Sequence, residues 1–430
     1  MPVRRAHRKT TLSCSTCKKR RVKCDLNRPE CQNCIRLGRE CGFKFLNPAP
    51  RLALAPIKES APPPSLSLPD PSFLDDLFET LPQALQKRFS QLIKHHAIQT
   101  SGTITPNANA QSTWCALIPK LTASHGFVSQ GVVAISALHQ SRTVASERER
   151  KILQDIAAAQ MNAGLMSYRA CVANVTPDNA AALFAFSTAT TTFVLATSVE
   201  ACHALLQSAR NKSSTVIQHS NTVQHLVREI VNILVCFRGV LVILVPCWHV
   251  MVQGPLKPLL DRDWWPRPIP SSPKALEEDR KLKDLENLWM RPGRSYDYTF
   301  DTLSQALRDL RENFALVSLL TLGDTSKNAH AGSRLLDWTS TVTWITKPPQ
   351  GFIKLIEQKQ PEAWIILAHY AILPSRVGDI WWVKGFSTAI VSVAALVIEP
   401  SMHSWIKWPA SVVGVDLSDF DSKYSEQNMV

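Results

Sequence analysis

Six of the chain's 11 cysteines lie close together near its beginning, within residues 14–41. Their spacing is a tandem repeat in which each member of a triplet recurs 17 residues later: Cys14, Cys17 and Cys24, then Cys31, Cys34 and Cys41. So short a stretch cannot bury enough apolar surface to fold unaided. A structural metal, however, can supply about 10 to 16 kcal/mol of apparent folding energy. The spacing therefore predicts a small module that folds around bound metal.

Zinc is the metal that this set of thiols favours. Structural Zn²⁺ takes four ligands in a tetrahedron, with sulfur at about 2.3 Å. Two ions need eight ligand places, so six thiolates suffice only if two cysteines each bridge both ions. The repeat leaves three candidate bridging pairs: Cys14 with Cys31, Cys17 with Cys34, or Cys24 with Cys41. We expect two zinc ions, held by all six cysteines.

A disulfide framework is the alternative for clustered cysteines. The residues after Met1 offer no apolar stretch for a secretory signal, because five of the six residues 4–9 are basic. In a reducing compartment thiols stay reduced, so metal binding is favoured over disulfides. The other five cysteines lie in apolar sequence and are expected in a core: Cys115, Cys171, Cys202, Cys236 and Cys247.

The positive charge is concentrated in the same segment. The formal net charge is +13, of which residues 1–51 contribute +11. Five basic residues lie between the second and third cysteines: Lys18, Lys19, Arg20, Arg21 and Lys23. Such a run is usually only a solvated face. Here metal ligands would hold both ends, so we expect a short rigid helix that presents its charges in one orientation. Zinc modules of this kind place such a helix in the major groove of double-stranded DNA, where arginine or lysine donates to guanine O6 and N7.

Composition divides the chain into four segments. The DNA-binding module is expected at 10–45 and a proline-rich linker at 46–82, since nine prolines lie between Asn47 and Pro82. The segment 83–412 is rich in Ala, Leu, Val and Ile with helical recurrence, and Phe127, Val132 and Ile135 fall on one helical face. We therefore predict a small zinc-nucleated module of two short helices, a large all-α regulatory domain and an acidic tail at 413–430.

Prolines and one arginine refine the prediction for the large domain. Helices are expected to break at Pro177, near Pro246, around Trp264 to Pro273, and at Pro348 and Pro349. The longest apolar stretch, Ile230 to Trp248, contains a central Arg238, which would cost about 2.5 kcal/mol or more in lipid. We interpret this stretch as a buried helix rather than a membrane span, with Arg238 paired to an acidic residue.

The cysteine module resembles the fungal Zn2Cys6 binuclear-cluster transcription factors. The resemblance rests on residues 14–24 (CSTCKKRRVKC), Asp25, Pro29 and residues 31–34 (CQNC). It implies that Cys14 and Cys31 bridge the two ions, that Cys17 and Cys24 complete one site, and that Cys34 and Cys41 complete the other. It also implies nuclear action on a CGG-type element, with Arg21 as the principal base contact, Arg20 as its neighbour, and the lysines on phosphates.

Several stretches of the large domain resemble the regulatory domain of one branch of that family, which contains sterol-uptake regulators and regulators of secondary metabolism. They are residues 132–138, 179–186, 237–240, 254–260, 363–370 and 405–409. The resemblance implies a pathway-specific regulator, expected to activate a biosynthetic gene cluster. The alternative is a ligand-responsive, sterol-like regulator of lipid genes. A pocket for a small hydrophobic ligand would then be lined by Trp364, Tyr370, Trp381 and Trp382, for which core packing is the favoured interpretation.

One module of this kind reads few base pairs, so we expect the chain to need a second source of DNA specificity and further protein partners. A module of this size contacts about 3 base pairs, so specificity needs a second contribution. Pro48, Pro50 and Pro56 would interrupt a coiled coil directly after the cluster and so oppose a homodimer formed in that way. The alternatives are pairing through the helical domain and DNA contacts from the basic residues around Arg4 to Lys9 and Lys44. Two acidic-apolar segments could recruit the transcription machinery, Asp70 to Leu81 and Asp416 to Tyr424, and are alternatively an amphipathic helix and a solvated tail.

An enzyme is the rival class of function. The chain has no P-loop, no dinucleotide glycine pattern and no HExxH zinc motif. Residues 385–389 half resemble a nucleophile elbow but lack its last glycine. An RNA-binding role would need aromatic residues for stacking bases, and the basic run has none. We expect no catalytic residues.

Overall fold

The computed structural model describes residues 15–25, 31–39, 83–105, 108–210, 216–260, 268–290, 297–322 and 334–420 of the chain. The described residues divide into two compact units, one formed by residues 15–39 and the other by residues 83–420. The first unit contains two helices of five residues, α1 (Ser15–Lys19) and α2 (Gln32–Arg36). The two short helices of the predicted module are confirmed.

The second unit is built from helices, as predicted. Its α-helices are α3 (Gln83–His95), α4 (Ser101–Ile104), α5 (Ala108–Ser124), α6 (Gly126–Ser141), α7 (Glu147–Val172), α8 (Ala180–Arg210), α9 (Val216–Met251), α10 (Lys257–Leu260), α11 (Pro273–Lys283), α12 (Thr299–Leu319), α13 (Gln350–Glu357), α14 (Pro361–Tyr370), α15 (Ile372–Ser375), α16 (Phe386–Val397) and α17 (Lys407–Val413). A π-helix spans His96–Thr100, and 3₁₀-helices span Asp284–Leu288, Trp338–Thr341, Thr343–Thr346 and Pro400–Ile406. The strands β1 (Thr321–Leu322) and β2 (Arg334–Leu335) pair antiparallel, with Thr321 opposite Leu335.

Helix ends follow local side-chain chemistry. Ser146 caps α7 by accepting from the amide of Glu149 at 3.4 Å. Ser272 caps α11 in the same way, accepting from Ala275 at 3.1 Å, and Pro273 occupies the first helical turn, where no amide partner is needed. Gly414 follows α17 with φ +76°, a left-handed conformation that glycine adopts without steric cost. These caps fix the helix boundaries that the hydrophobic pattern leaves open.

Helices α6, α7 and α8 pack closely around one aromatic ring in the second unit. Phe186 of α8 is fully buried and lies against Gly131 of α6 and Gly164 of α7. A Cβ atom at Gly131 would come within 2.8 Å of the ring, and one at Gly164 within 2.5 Å. Since real Cβ atoms do not approach so closely, both glycines are required for the ring to fit.

Most of the predicted helix breaks are present. Pro177 lies between α7 and α8, while Pro348 and Pro349 precede α13. The break near Pro246 is wrong, because α9 runs through this proline to Met251. A proline inside a helix removes one amide donor and crowds the carbonyl four residues earlier, that of Val242. Both residues lie on an exposed face, where water can satisfy that carbonyl.

The prediction that Ile230 to Trp248 forms a buried helix holds for only part of α9, because one face of this helix is exposed. Val235 is 52% exposed, Val242 59% and Val245 70%. By length and composition, residues 180–209 and 220–251 could each cross a membrane, but their most apolar windows are 61% and 33% buried within the protein. Arg238 is held by backbone, donating to the carbonyl of Pro348 at 2.7 Å, and not by the acidic residue we expected.

In the second unit His96 and His369 are buried and His139 is half-buried. His96 and His139 lie near His95, whose ring centroid is 5.3 Å from that of His139. Burial, reinforced by the neighbouring histidines, lowers the pKa of His96 to about 4, and burial likewise lowers the pKa of His139 to about 4. Burial also lowers the pKa of His369 to about 4, although its Nδ1 donates to the carbonyl of Ile365 at 2.8 Å. The folded helical unit keeps these rings neutral.

Gly164→Ala should destabilise the helical unit, because the added methyl group overlaps the ring of Phe186. We expect a loss of about 1 to 3 kcal/mol in the free energy of unfolding. Gly239→Ala is the matched control, since this glycine also lies inside a helix and nothing stands within 4 Å of the added Cβ. It should stabilise by up to about 1 kcal/mol through helix propensity. Urea unfolding followed by tryptophan fluorescence measures both, because all 12 tryptophans lie at Trp114 or beyond. Equal effects of the two variants would contradict the packing argument.

The stability of the helical unit should fall as the solution is acidified. A histidine whose folded pKa is lowered below the ordinary 6.5 stabilises fully above that value, and the contribution is lost as the pH falls toward the folded pKa of about 4. We expect the urea midpoint to be flat above about pH 7 and to decline between pH 6.5 and 4. His369→Gln should reduce this slope, whereas replacing the exposed His249 by Gln should not. An unchanged slope in His369→Gln would refute the assignment.

Candidate metal centre and nucleic-acid interface

Four of the six clustered cysteines come together in the first unit. Cys17 lies in α1 and Cys24 follows that helix, while Cys31 precedes α2 and Cys34 lies inside it. All four side chains are buried although the described part of the module is very short. The two halves of the repeat thus point their sulfurs at a shared centre.

Distances between the sulfurs match thiolates on a common metal. The Sγ atom of Cys17 lies 3.6 Å from that of Cys31 and 4.0 Å from that of Cys34. Two thiolates at about 2.3 Å from one tetrahedral zinc are about 3.8 Å apart, whereas a disulfide needs about 2.05 Å. The sulfurs of Cys17, Cys24 and Cys31 all lie within 4.8 Å of one another. These three cysteines could hold one metal ion.

Two of the predicted ligands, Cys14 and Cys41, lie outside the described residues. The bridging pair therefore remains a prediction. The trio of Cys17, Cys24 and Cys31 is the set that the resemblance assigns to one zinc together with Cys14.

The 17-residue repeat extends to the backbone hydrogen bonds. The amide of Val22 donates to the carbonyl of Cys17 at 3.2 Å, and the amide of Arg39 donates to the carbonyl of Cys34 at 3.0 Å. Each bond spans five residues and closes the end of a short helix, as in a Schellman motif. The two halves of the module therefore end their helices in the same way.

The left-handed residue of this motif differs between the halves. Gly38 has φ +57° in the second half, and Arg21 has φ +55° in the first. A residue with a Cβ atom costs about 1 kcal/mol or more in this conformation, which glycine avoids. Arg21 thus carries a backbone cost that Gly38 does not, and strain of this kind is found preferentially at functional positions.

The basic run is not one helix, contrary to our prediction. Helix α1 ends at Lys19, and Arg20 and Arg21 form the turn that follows. The closing bond from Val22 to Cys17 requires the left-handed residue at position 21, so the helix cannot continue. The basic residues instead gather at the carboxyl end of α1, where the helix dipole favours cations.

The basic side chains differ in exposure. Lys19, Arg21 and Lys23 are exposed, whereas Arg20 is half-buried. One guanidinium nitrogen of Arg20, Nη1, is shielded from solvent without an acceptor among the protein atoms. The side chain of Lys18 lies outside the described residues. Arg21, which the resemblance makes the principal base contact, is therefore a side chain free to reach DNA.

Two hydrogen bonds join the halves of the module, and sequence reasoning missed both. The Oδ2 atom of Asp25 accepts from the amide of Gln32 at 3.1 Å, and the Nδ2 atom of Asn33 donates to the carbonyl of Lys23. The family resemblance includes Asp25, but the sequence gives no signal for the partner of its carboxylate. Together these bonds hold the end of the basic run against the start of α2.

The aromatic residues considered for a ligand pocket are packed in the second unit. Trp364 is fully buried and donates to the carbonyl of Ile356 at 3.0 Å, while Tyr370 stacks on Trp344 with ring centroids 4.8 Å apart. Trp381 and Trp382 donate to Oγ1 and the carbonyl of Thr103 at 2.9 and 3.1 Å. All four have structural contacts, as the favoured interpretation requires.

The two acidic-apolar segments are only partly described. Asp70 to Leu81 lies outside the described residues, as do the last four residues of Asp416 to Tyr424. In the described part of the second segment, Phe420 is buried and packs with the hydrophobic core.

Arg21→Gly should leave metal binding intact or strengthen it, because it gives the first half the residue that the second half already has. We expect the variant module to resist a zinc chelator at least as well as the unaltered protein, with a gain of up to about 1 kcal/mol in the free energy of zinc binding. Gly38→Ala should weaken that resistance by about 1 kcal/mol, since alanine is strained at this φ. Zinc release to a colorimetric chelator measures both in the full chain. Faster release from Arg21→Gly than from Gly38→Ala would contradict the backbone argument.

Comparison with known proteins agrees with this geometry. Residues 12–47 match the fungal Zn(2)-Cys(6) binuclear cluster domain. A Zn(2)-C6 fungal-type transcription factor of Gibberella zeae is 22% identical over 97% of this chain and 88% of its own length. The Zn(2)-C6 fungal-type transcription factor afumD of Aspergillus fumigatus is 31% identical over 42% of this chain and 45% of its own.

Sterol uptake control protein 2 of Candida albicans is 58% identical over 40 residues, which are 9% of this chain and 6% of that protein. No solved structure matches the chain. The module binds zinc, and its relatives are regulators of transcription rather than enzymes. The chain thus carries a fungal Zn(2)-Cys(6) binuclear cluster domain and is similar to Zn(2)-C6 fungal-type transcription factors.

Proposed function

We propose that the chain acts in the nucleus and reads a CGG-type DNA element through Arg21, with two zinc ions holding the reading residues in place. The observation that carries this proposal is the left-handed Arg21, exposed at the position where the second half of the repeat has Gly38. A charged side chain is retained there at a backbone cost that glycine would avoid.

All six cysteines, Cys14, Cys17, Cys24, Cys31, Cys34 and Cys41, serve as ligands in this proposal. Two zinc ions need two shared thiolates, which the family resemblance assigns to Cys14 and Cys31. The buried sulfurs and the 3.6 Å spacing of Cys17 and Cys31 support ligation on both sides of the repeat. Metal bound to both halves would fix the turn at Arg20 and Arg21 relative to α2.

The basic residues divide into two roles. Arg21 donates to a guanine edge in the major groove, with Arg20 beside it. Lys18, Lys19 and Lys23 contact phosphates and set the register, because a flexible ammonium group pairs with a phosphate as a point charge. The exposure of Lys19 and Lys23 supports this division.

Regulation of a biosynthetic or secondary-metabolite gene cluster, as an activator, is the biological role we favour. It rests on the likeness of the helical domain to regulators of that branch and not on a contact in the structure. Pairing of two chains and recruitment of the transcription machinery through the acidic segments belong to the same proposal. A sterol-responsive role gains nothing from Trp364, Tyr370, Trp381 and Trp382, because these side chains already have structural contacts.

In vitro selection of random duplex DNA by the full chain tests the reading function. The unaltered protein should enrich a CGG-type triplet with zinc and nothing with chelator, and native mass spectrometry should find two zinc ions per chain. Arg21→Gly should lose the triplet preference while keeping its zinc. Lys19→Ala should weaken binding to all sequences about equally and reduce the salt dependence by about one phosphate contact.

Three results would overturn the proposal. They are enrichment that survives chelation, an unchanged triplet in Arg21→Gly, and one zinc ion per chain. Because Arg21→Gly matches the backbone of the second half, loss of selectivity in this variant cannot be attributed to an unfolded module so long as its zinc content is unchanged.

A further inference from the structure

The two longest helices of the second unit are covered to different degrees. Both α8 and α9 are long and apolar enough to cross a membrane, but the most apolar window of α8 is 61% buried, whereas that of α9, the more apolar of the two, is only 33% buried. Monomeric proteins in water rarely expose a continuous apolar face, and where one is present it usually contacts a partner. The exposed side of α9 is therefore a candidate interaction surface.

The exposed side of α9 is formed by residues that recur in steps of three and four, which keep to one side of a helix. Five of its six residues are exposed, and the sixth, Gly239, is half-buried with nothing within 4 Å of an added Cβ atom. Because Gly239 presents only backbone, a second helix can approach closely there. We call this set the α9 face: Asn232, Val235, Gly239, Val242, Pro246 and His249.

The α9 face has the same order of residue types from both ends. Its steps are three, four, three, four and three residues, so the spacing is symmetric about a point between Gly239 and Val242. The residue at each end is polar, and the next one inward is apolar. When two such faces meet antiparallel, polar ends lie opposite polar ends and Gly239 lies opposite Val242. A contact between two identical chains about a two-fold axis needs a surface that complements itself in this way.

The α9 face contains no Lys, Arg, Asp or Glu. Arg238 is the one residue of these four types between Ile230 and Leu256, and its guanidinium donates to the carbonyl of Pro348 within the same unit. Two copies of the face can therefore meet without burying an unpaired charge, which would cost free energy. A helix that lies on a membrane instead usually carries several Lys and Arg on its polar side. The scarcity of charge in this part of α9 favours a protein partner.

From this arrangement we propose that the α9 face is the contact through which two copies of the chain pair, with their α9 helices antiparallel about a two-fold axis between Gly239 and Val242. It gives a location to the pairing of chains proposed above. It rests on that proposed function only for its purpose, which is to bring two zinc modules to one DNA site. The pairing itself can be measured without DNA.

The size of the α9 face sets the strength of pairing that we expect. The face spans about 26 Å at 1.5 Å per residue. One pair of helices over this length buries less than a standard interface, in which each partner covers about 800 Å². Contact also covers the carbonyl of Val242, which Pro246 leaves without an amide partner, and this costs free energy unless a water molecule stays with it. We therefore expect a reversible dimer with a Kd on the order of 10 µM.

Sedimentation of the full zinc-loaded chain, from about 1 to about 200 µM, tests the pairing around the expected Kd. The mass should rise from the 47.9 kDa of one chain toward twice that value. Val242→Glu places two carboxylates beside the two-fold axis and should raise the Kd at least about tenfold. Val412→Glu is the matched control, because Val412 of α17 is also exposed, at 47%, and lies outside the α9 face. This control should leave the Kd unchanged.

Introduced charges test the antiparallel order of the two helices. Val235→Glu should raise the Kd at least about tenfold, because it buries a carboxylate in the contact. Adding Pro246→Lys to the same chain should lower the Kd again by at least about fivefold, since position 235 of one copy lies opposite position 246 of the other only in an antiparallel pair. Circular dichroism establishes that each variant is folded.

The proposal is overturned if the unaltered chain stays monomeric up to about 200 µM. It is also overturned if folded Val242→Glu pairs as well as Val412→Glu, or if Pro246→Lys fails to rescue Val235→Glu. A monomeric chain that floats with phosphatidylcholine vesicles would assign the α9 face to a membrane instead. DNA selection by the same samples reports separately on the cluster, because a chain that pairs but enriches no triplet overturns the reading function and leaves the α9 contact standing.

Discussion

Attraction of several thiolates to a shared metal is the interaction on which the DNA-binding unit depends. Cys17, Cys24, Cys31 and Cys34 are buried in a segment with too few apolar residues to bury anything else. Cys17 and Cys34 lie inside the two short helices, so metal ligation also holds those helices against each other. The hydrogen bonds of Asp25 and Asn33 then need only adjust the fit of two halves that are already held together.

The sequence predicted the parts of the structure that repeat or alternate with a fixed period. Cysteine spacing predicted the module and its two helices, and the recurrence of Phe127, Val132 and Ile135 predicted a buried helical face that the structure confirms. What it could not predict depends on groups far apart in the chain. No local sequence pattern reveals that the Phe186 ring packs between Gly131 and Gly164. None reveals that Arg238 pairs with a backbone carbonyl. The predicted break at Pro246 was wrong because a proline can remain inside a helix when the carbonyl it leaves unpaired faces water.

Within the metal site, too, the features set by periodic spacing could be predicted from the sequence, and the others could not. The gathering of Cys17, Cys24 and Cys31 could be expected from spacing alone, since thiol chemistry and repeat symmetry constrain it. The end of α1 at Lys19 could not, because arginine at position 21 gives no sequence signal for a left-handed turn. Only alignment of the two halves, which places Arg21 opposite Gly38, would have revealed it.

The unequal halves of the module have a consequence for orientation. Both halves end their helices with the same hydrogen bond, but only the first has a cationic side chain at the left-handed position. The module therefore has two similar backbone halves that differ in the side chain at the left-handed position, so its two ends are not equivalent. If such a module reads a triplet, it does so along one strand direction only. The order and spacing of elements in a promoter would then determine how two chains face each other.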